Sequence, residues 1–352
     1  MTETSEQRHA TLALQLLLDG GAAPTAALDW QLLRAVADRN AVLVRLDDQL
    51  QRLALRPPRS FTVAADRERQ RVRAALHVVR EIGDRCARHG IAFLFPKALQ
   101  HYPDMGSDLD LLVLSESEGT DALLLEGLAA SPVARSLHDR IAGATTYRLQ
   151  ESRLALDVRH GRLGPVGEQA SYPRALLANR QRCLIAGAEF FVPAPEDQLI
   201  LQGMDRVSGR RSFRLGDVVA TIATVRALPI AWTYVTQTAR AIGVLAGLGC
   251  YLSYVEQIHQ ALYGRGLLPP DAHQGLLLRG WGRATFHHGA YRFPAVRVGN
   301  RLYWRQLATS VGAGNWRAAS RLCLWPAAVA GDGLRRLARA RSRDQARPAE
   351  AT

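Results

Sequence analysis

The residues best suited to chemistry lie around the only lysine in the chain. Lysine and arginine together number 45, and the single lysine is Lys97. A lysine kept among so many arginines indicates a position where a planar guanidinium does not replace a compact ammonium. Asp108 and Asp110 follow, and residues i and i+2 of a strand share one face. Because adjacent carboxylates repel each other unless a cation lies between them, this spacing predicts a divalent-metal site with a lysine near a phosphate.

A third acid, Asp157, lies in the apolar stretch 154–158. An ionised carboxylate in such a strand is costly to bury without a partner. Nucleotidyl transfer uses metal ions held by closely spaced carboxylates, and a loop whose backbone N–H groups reach the triphosphate. The alternative is a chance Asp-x-Asp with a surface acid at position 157. The lone lysine, the length of the loop 97–107 and the third acid together favour the metal site.

The segment 93–115, FLFPKALQHYPDMGSDLDLLVLS, resembles the signature of the uncharacterised nucleotidyltransferase family of the polymerase-β-type nucleotidyltransferase superfamily. The positions that agree with the family pattern are Lys97, Tyr102, Pro103, Asp108, Asp110, Leu111, Leu112 and Val113. The resemblance extends over about residues 1–230, because a helical segment precedes the motif and the stretch 192–197 matches the family's passage into its C-terminal helices.

This resemblance implies two groups of site residues. The catalytic acids, which would also bind Mg²⁺ or Mn²⁺, are Asp108, Asp110 and Asp157. The loop 97–107 would meet the phosphates of an NTP co-substrate through Lys97, Ala98, Gly106 and Ser107.

Two positions depart from the family pattern. Ala98 stands where the family has glycine, and alanine does not readily take a positive φ. An arginine usual before the paired acids is also absent, since residues 104–107 read DMGS. Both departures predict an altered phosphate loop and leave the metal ligands in place.

The formal net charge of +13 favours an anionic partner. Four cysteines lie far apart, which argues against a zinc knuckle or a disulfide framework and fits a reduced, cytoplasmic setting. The arginine-rich composition is typical of a GC-rich, bacterial genome. No apolar stretch reaches the length that a transmembrane helix needs.

The window 272–331 combines arginines and aromatic residues without any acid. Interleaved cations and aromatic rings suit nucleic acid, and they also suit another anionic partner. The plainer alternative is that the aromatic residues form core and the arginines a solvated face. Two further hypotheses concern histidines: the pair His287-His288 as metal ligands rather than surface or loop residues, and His160 reaching the metal site from a strand end.

The pattern of apolar residues predicts an α+β fold with a small mixed sheet, and the resemblance implies that this sheet is a nucleotidyltransferase-type core. The expected divisions are a helical segment 1–90, the core 91–193, a basic helical domain 194–340 and a disordered tail 341–352. Predicted helices cover about 62–89, 117–130, 196–207, 213–227, 231–243 and 246–263. Predicted strands cover 91–95, 108–114, 189–192 and a hairpin 145–159.

We therefore expect a metal-dependent nucleotidyltransferase that moves an NMP from an NTP to an acceptor and releases pyrophosphate. The acceptor stays open among a small molecule, a sugar, a peptide and RNA. One alternative is an enzyme that modifies RNA 3′ ends, or a toxin-like enzyme. The other is a non-catalytic relative that binds a nucleotide or a partner.

Overall fold

The computed structural model describes residues 4–20, 28–106, 108–115, 119–150, 154–208, 212–276, 278 and 280–345, with side chains in the last helix described only as far as residue 331. The predicted site residue Ser107 lies outside the described residues, as do the tip of the predicted hairpin, 151–153, and the end of the expected tail, 346–352.

Four helices open the chain: α1 (Ser5–Asp19), α2 (Trp30–Arg39), α3 (Leu43–Arg52) and α4 (Arg59–Arg88). Their ends follow local sequence signals. The Thr4 hydroxyl accepts a hydrogen bond from the backbone of α1, and the Asp29 carboxylate does the same for α2. Gly20 ends α1 with φ 66°, a conformation that glycine adopts without a Cβ penalty.

A five-stranded mixed sheet follows, in the order β1-β2-β5-β4-β3. Its strands are β1 (Phe93–Leu94), β2 (Asp108–Val113), β3 (Ala130–Pro132), β4 (Ala144–Leu149) and β5 (Ala155–His160). Only β2 and β5 run parallel among these neighbours; the other pairs are antiparallel. The short helices α5 (Gly119–Leu125) and α6 (Leu137–Ala142) connect the strands.

The remaining chain is mostly helical. It contains α7 (Tyr172–Ala178), α8 (Pro195–Ser208), α9 (Leu215–Ala227), α10 (Trp232–Ala241), α11 (Leu245–Tyr263), α12 (Pro270–Leu276), α13 (Ala295–Gly312) and α14 (Trp316–Gln345). A hairpin joins β6 (Gln181–Ile185) to β7 (Ala188–Val192), and a small sheet has the order β8 (Ser212–Phe213), β10 (Ala290–Arg292), β9 (Thr285–His287).

The two hydrophobic cores follow the two faces of the main sheet. Leu109, Leu111 and Val113 of β2 pack in one core with the second half of α4. Leu112, which points to the other face, belongs to a larger core that joins α1–α3 to the C-terminal helices. The predicted helical segment 1–90 therefore contributes to both cores and shares the larger one with residues of the predicted domain 194–340.

The α+β fold class predicted from the sequence is confirmed, with a mixed sheet between flanking helices. The long helices lie close to their predicted bounds, and the hairpin partners β4 and β5 pair as expected. The predicted helix 117–130 is shorter, because β3 begins at Ala130. Helix α14 runs to Gln345, into the segment expected to be disordered.

Candidate functional site

The pairing of β2 with β5 determines which acidic residues lie next to one another at the candidate site. The Cα atom of Asp110 pairs with that of Asp157, and Asp108 pairs with Ala155. Because Asp108 and Asp110 are two residues apart on one strand, all three acids project from the same face of the sheet. We call Asp108, Asp110 and Asp157 the acid face; it is opposite the face that packs on α4.

Asp157 has a perturbed pKa. Burial raises its pKa above the usual range, and the nearby carboxylates of Asp110 and Asp108 raise it further. The Thr146 hydroxyl, on the adjacent strand β4, opposes this shift by donating a hydrogen bond of 2.5 Å to Asp157 Oδ1. The three carboxylates are therefore close enough to repel one another.

Lys97 supplies a cation beside the acid face. Its Nζ atom lies 3.8 Å from Asp110 Oδ2 and 3.0 Å from Asp205 Oδ1 of α8. The side chain is 22% exposed, so the ammonium is partly screened from solvent. That Lys97 lies near a phosphate of a bound nucleotide stays a prediction, and Asp205 is a partner that the sequence did not indicate.

A chain of buried charges continues from Lys97 into the molecule. Arg206 Nη1 lies 2.6 Å from Asp205 Oδ2, and Arg206 Nη2 lies 2.9 Å from Asp217 Oδ1. His101 Nε2, from the loop, lies 3.0 Å from the same Asp217 oxygen. Burial alone would raise the pKa of Asp217, but the charge of Arg206 and the contact with His101 hold it well below its usual range. The loop and helices α8 and α9 thus share one electrostatic network.

The N-terminal helices fix the other end of the loop. Arg71 of α4 donates hydrogen bonds to the carbonyls of Gly106, at 2.6 Å, and Met105, at 2.7 Å, while pairing with Glu68. Asp104 accepts hydrogen bonds from Arg45 and from the backbone of α3. The loop before β2 is therefore held from three directions by charged side chains.

The loop accommodates Ala98 without strain. Positive φ angles at described residues other than glycine occur at Ala41, Ala54, Ala186 and His288, so Ala98 has an ordinary φ. Its methyl group is buried in the core beneath the sheet. Gly106 precedes the acids, and a Cβ built there would lie 3.3 Å from Asp108 Oδ1. Glycine at 106 thus leaves room for the Asp108 carboxylate.

A cavity of about 570 Å³ opens on Lys97 and Asp110, and we call it the Lys97 cavity. Asp205 and Arg159 add charge to it, and the rest of its lining is largely apolar: Leu163, Pro165, Leu201, Met204, Trp325 and Val329. The volume lies within the range of small-molecule sites. Both Trp325 and Val329 belong to α14, so the last helix forms part of its wall.

A second cavity, of about 740 Å³, lies on the far side of the loop and includes Met105 and Gly106. Its cationic side chains are Arg39, Arg67, Arg71 and Arg214, and its acids are Asp38, Glu68 and Asp104. The two cavities, which meet the loop at opposite ends, thus differ in character.

The sequence hypotheses outside the acid face have different outcomes. His160 extends from β5 on the face opposite to Asp157, and its Nε2 lies 2.9 Å from Asp121 Oδ1, so it does not reach the acid face. In the window 272–331, Phe286, Tyr291 and Phe293 are buried in the larger core.

Three described arginines of that window lie in different surroundings. Arg301 and Arg305 lie over the Trp281 ring, whereas Arg321 reaches the carbonyls of Ile141 and Val166. Of the window's residues, Trp325 is the aromatic one beside the acid face. An anionic partner at 272–331 stays a prediction.

The residues of the acid face fit a divalent cation. Carboxylate oxygens are hard ligands that suit Mg²⁺ and Mn²⁺. Burial, and after it repulsion from Asp110 and Asp108, raises the pKa of Asp157. Among the described residues, however, no three His, Cys, Asp or Glu side chains form a ready cage in this conformation. Lys97 pairs with Asp110 and Thr146 with Asp157, so metal binding would require these carboxylates to turn toward one another.

Sequence reasoning missed Asp205, Arg206 and Asp217. For Asp217 a signal existed: it is a lone acid before the apolar run VVATIATV, where an unpaired charge is costly. The same argument, an acid in an apolar stretch, identified Asp157 as a candidate. Asp205 offered no such signal, because its role depends on how α8 packs beside the loop.

A parallel strand pair bearing three acids, next to a loop with a lysine, is the arrangement of a nucleotidyltransferase-type core. A model of the uncharacterised nucleotidyltransferase family matches residues 26–260, about two thirds of the chain. The chain therefore belongs to that family. No curated protein and no solved structure gives a significant match. No helix within the described residues is long and apolar enough to cross a membrane.

Proposed function

We propose that the protein transfers a nucleoside monophosphate from an NTP to an acceptor, in a reaction that depends on Mg²⁺ or Mn²⁺. The observation that carries this proposal is the pairing of Asp110 with Asp157 across parallel strands, with Asp108 on the same face. Membership of a nucleotidyltransferase family supports the reaction type. The Lys97 ammonium beside Asp110 supports a binding place for phosphate oxygens.

Each residue has a distinct role in the proposed reaction. Asp108, Asp110 and Asp157 would hold the divalent cation, which when bound neutralises charge on the phosphates. Lys97 contacts the triphosphate, and the loop before β2 orients it. Asp157 accepts the proton when the acceptor is a hydroxyl. The acceptor oxygen forms a bond to the α-phosphorus. The bond between the α-phosphorus and the oxygen that bridges it to the β-phosphorus breaks. That oxygen keeps the electron pair and leaves as part of pyrophosphate.

A cytoplasmic location of the protein is part of the same proposal, and so is the set of acceptor classes. A small molecule, a sugar, a peptide and an RNA end remain the acceptor classes. A non-catalytic relative is less favoured, because Ala98 fits its loop with an ordinary φ and a buried methyl group.

The proposal is tested by incubating the protein with each NTP, labelled at the α-phosphate or at the γ-phosphate, plus Mg²⁺ and a cell extract. Nucleotidyl transfer puts the α label on one extract fraction and the γ label in pyrophosphate. The variant Asp110→Asn should abolish both signals. Transfer of the γ label to the extract would instead indicate a kinase, and label transfer unaffected by Asp110→Asn would refute the assigned acids.

A further inference from the structure

Helix α14 docks beside the acid face through one arginine. Arg321 donates to the carbonyl of Ile141 at the end of α6 and, at 3.2 Å, to that of Val166 in the loop after β5. Further along, a Cβ built on Gly331 would lie 3.7 Å from Leu137 Cδ2 of α6, so the two helices are close there. These contacts hold the helix against the sheet domain, so Trp325 has a defined position in the wall of the Lys97 cavity.

Trp325 is a half-buried ring whose position is fixed by packing. It lies 5.7 Å, centroid to centroid, from the ring of Tyr303 on α13. Two other tryptophans of this region, Trp304 and Trp316, are 64% and 67% exposed and do not line the Lys97 cavity. Trp325 therefore differs from them in lining the cavity that Asp110 and Asp205 also line.

The lining of the Lys97 cavity has a charged part and an apolar part, which suit the triphosphate and the base of a nucleotide. Lys97 contacts both Asp110 and Asp205, and the three side chains form a charged group. Most other lining residues are apolar, and Trp325 offers the one large aromatic surface among them. A triphosphate suits the charged group, whereas a flat base with low charge suits an aromatic wall.

We propose that Trp325 forms the nucleobase subsite, where the base of the NTP stacks on its indole ring. This inference rests on the proposed function and specifies which part of the NTP meets α14. Trp325 lies beyond residue 260, where the family match ends. Base preference is therefore set by a part of the chain outside the matched region, while the acids and the loop lie within it.

Calorimetry in Mg²⁺ tests the subsite with two probes. One is a set of nucleoside 5′-(α,β-methylene)triphosphates, which cannot release pyrophosphate; the other is inorganic tripolyphosphate, which has no base. Trp325→Leu should weaken the best-bound nucleotide about 5- to 100-fold, the range expected for stacking on one ring. Tripolyphosphate affinity should change less than about twofold, because the charged group is intact.

Two further variants separate stacking from packing. Trp325→Phe keeps a ring and should retain most of the nucleotide affinity, and Trp316→Leu, on the same helix but exposed, should behave as wild type. Equal loss of both probes in Trp325→Leu, or no loss of either, overturns the subsite while leaving nucleotide binding established. Wild-type protein that binds neither probe overturns the proposed function as well.

Discussion

The position of the Lys97 ammonium is constrained, because it lies between the carboxylates of Asp205 and Asp110. A guanidinium is longer and planar, so it cannot occupy the same point between two carboxylates. We predict that Lys97→Arg lowers affinity for a nucleoside (α,β-methylene)triphosphate by about 10-fold or more, a typical loss for a displaced charged contact. Unchanged affinity, measured by calorimetry, would show that the lysine is an accident of composition.

His160 and Asp121 form the pair that should give the metal-free protein a pH dependence near neutrality. The hydrogen bond to Asp121 raises the pKa of His160, against the effect of burial. A raised folded-state pKa means that this stabilisation is complete below the unfolded pKa of about 6.5 and is lost as pH rises through the folded-state pKa.

His160→Gln should therefore lower the free energy of unfolding at pH 6 by about 1–3 kcal/mol. The fall of stability from pH 6 to pH 8, followed by urea titration, should also flatten. His77→Gln is the control, because the His77 side chain is 73% exposed. A wild-type profile in His160→Gln would contradict this assignment.

At the scale of elements, the loop 96–106 depends on α4 for its shape. Arg71→Ala removes the hydrogen bonds to Met105 and Gly106 and leaves Glu68 without its cation. We expect a loss of about 1–3 kcal/mol in unfolding free energy, together with weaker binding of inorganic tripolyphosphate. Arg73→Ala, an exposed neighbour on α4, should stay within about 0.5 kcal/mol. Equal effects of the two variants would show that the loop does not depend on Arg71.

Elements with strong local signals were predictable from the sequence, and those that depend on packing were not. The spacing of apolar residues predicted a helix over about 62–89, and α4 has nearly those bounds. The three-residue strand β3 carries no periodicity, and it forms because β4 offers it an edge. The spacing of Asp108 and Asp110 is likewise a local property that can be read from the sequence. Asp205, in contrast, reaches Lys97 only through the tertiary fold.

At the scale of the molecule, Asp217 connects the loop to the C-terminal helices. Breaking a buried ion pair by removing one partner typically costs about 3–5 kcal/mol. We predict that loss for Asp217→Asn at pH 7, since Arg206 would remain buried with less compensation. Asp66→Asn, at a side chain that is 65% exposed, should change stability little.

The unfolding free energy of Asp217→Asn should also depend on pH differently from that of wild type. The folded-state pKa of Asp217 is depressed, so its stabilisation is present above the unfolded pKa of about 3.9 and is lost as pH falls toward the folded value. The drop in stability from pH 5 to pH 3 should therefore be shallower in Asp217→Asn than in wild type. Parallel pH profiles for the two proteins would contradict the assigned charge network.

The most direct test of the metal site is a calorimetric titration of the metal-free protein with Mn²⁺. We predict binding by wild type and by the surface control Asp66→Asn, and no binding by Asp108→Asn or Asp157→Asn. Melting temperatures of the two acid-face variants without metal should equal or exceed that of wild type, because repulsion among the carboxylates is relieved. Failure of wild type to bind Mn²⁺, or equal binding by all four proteins, would contradict a divalent-cation site on the acid face.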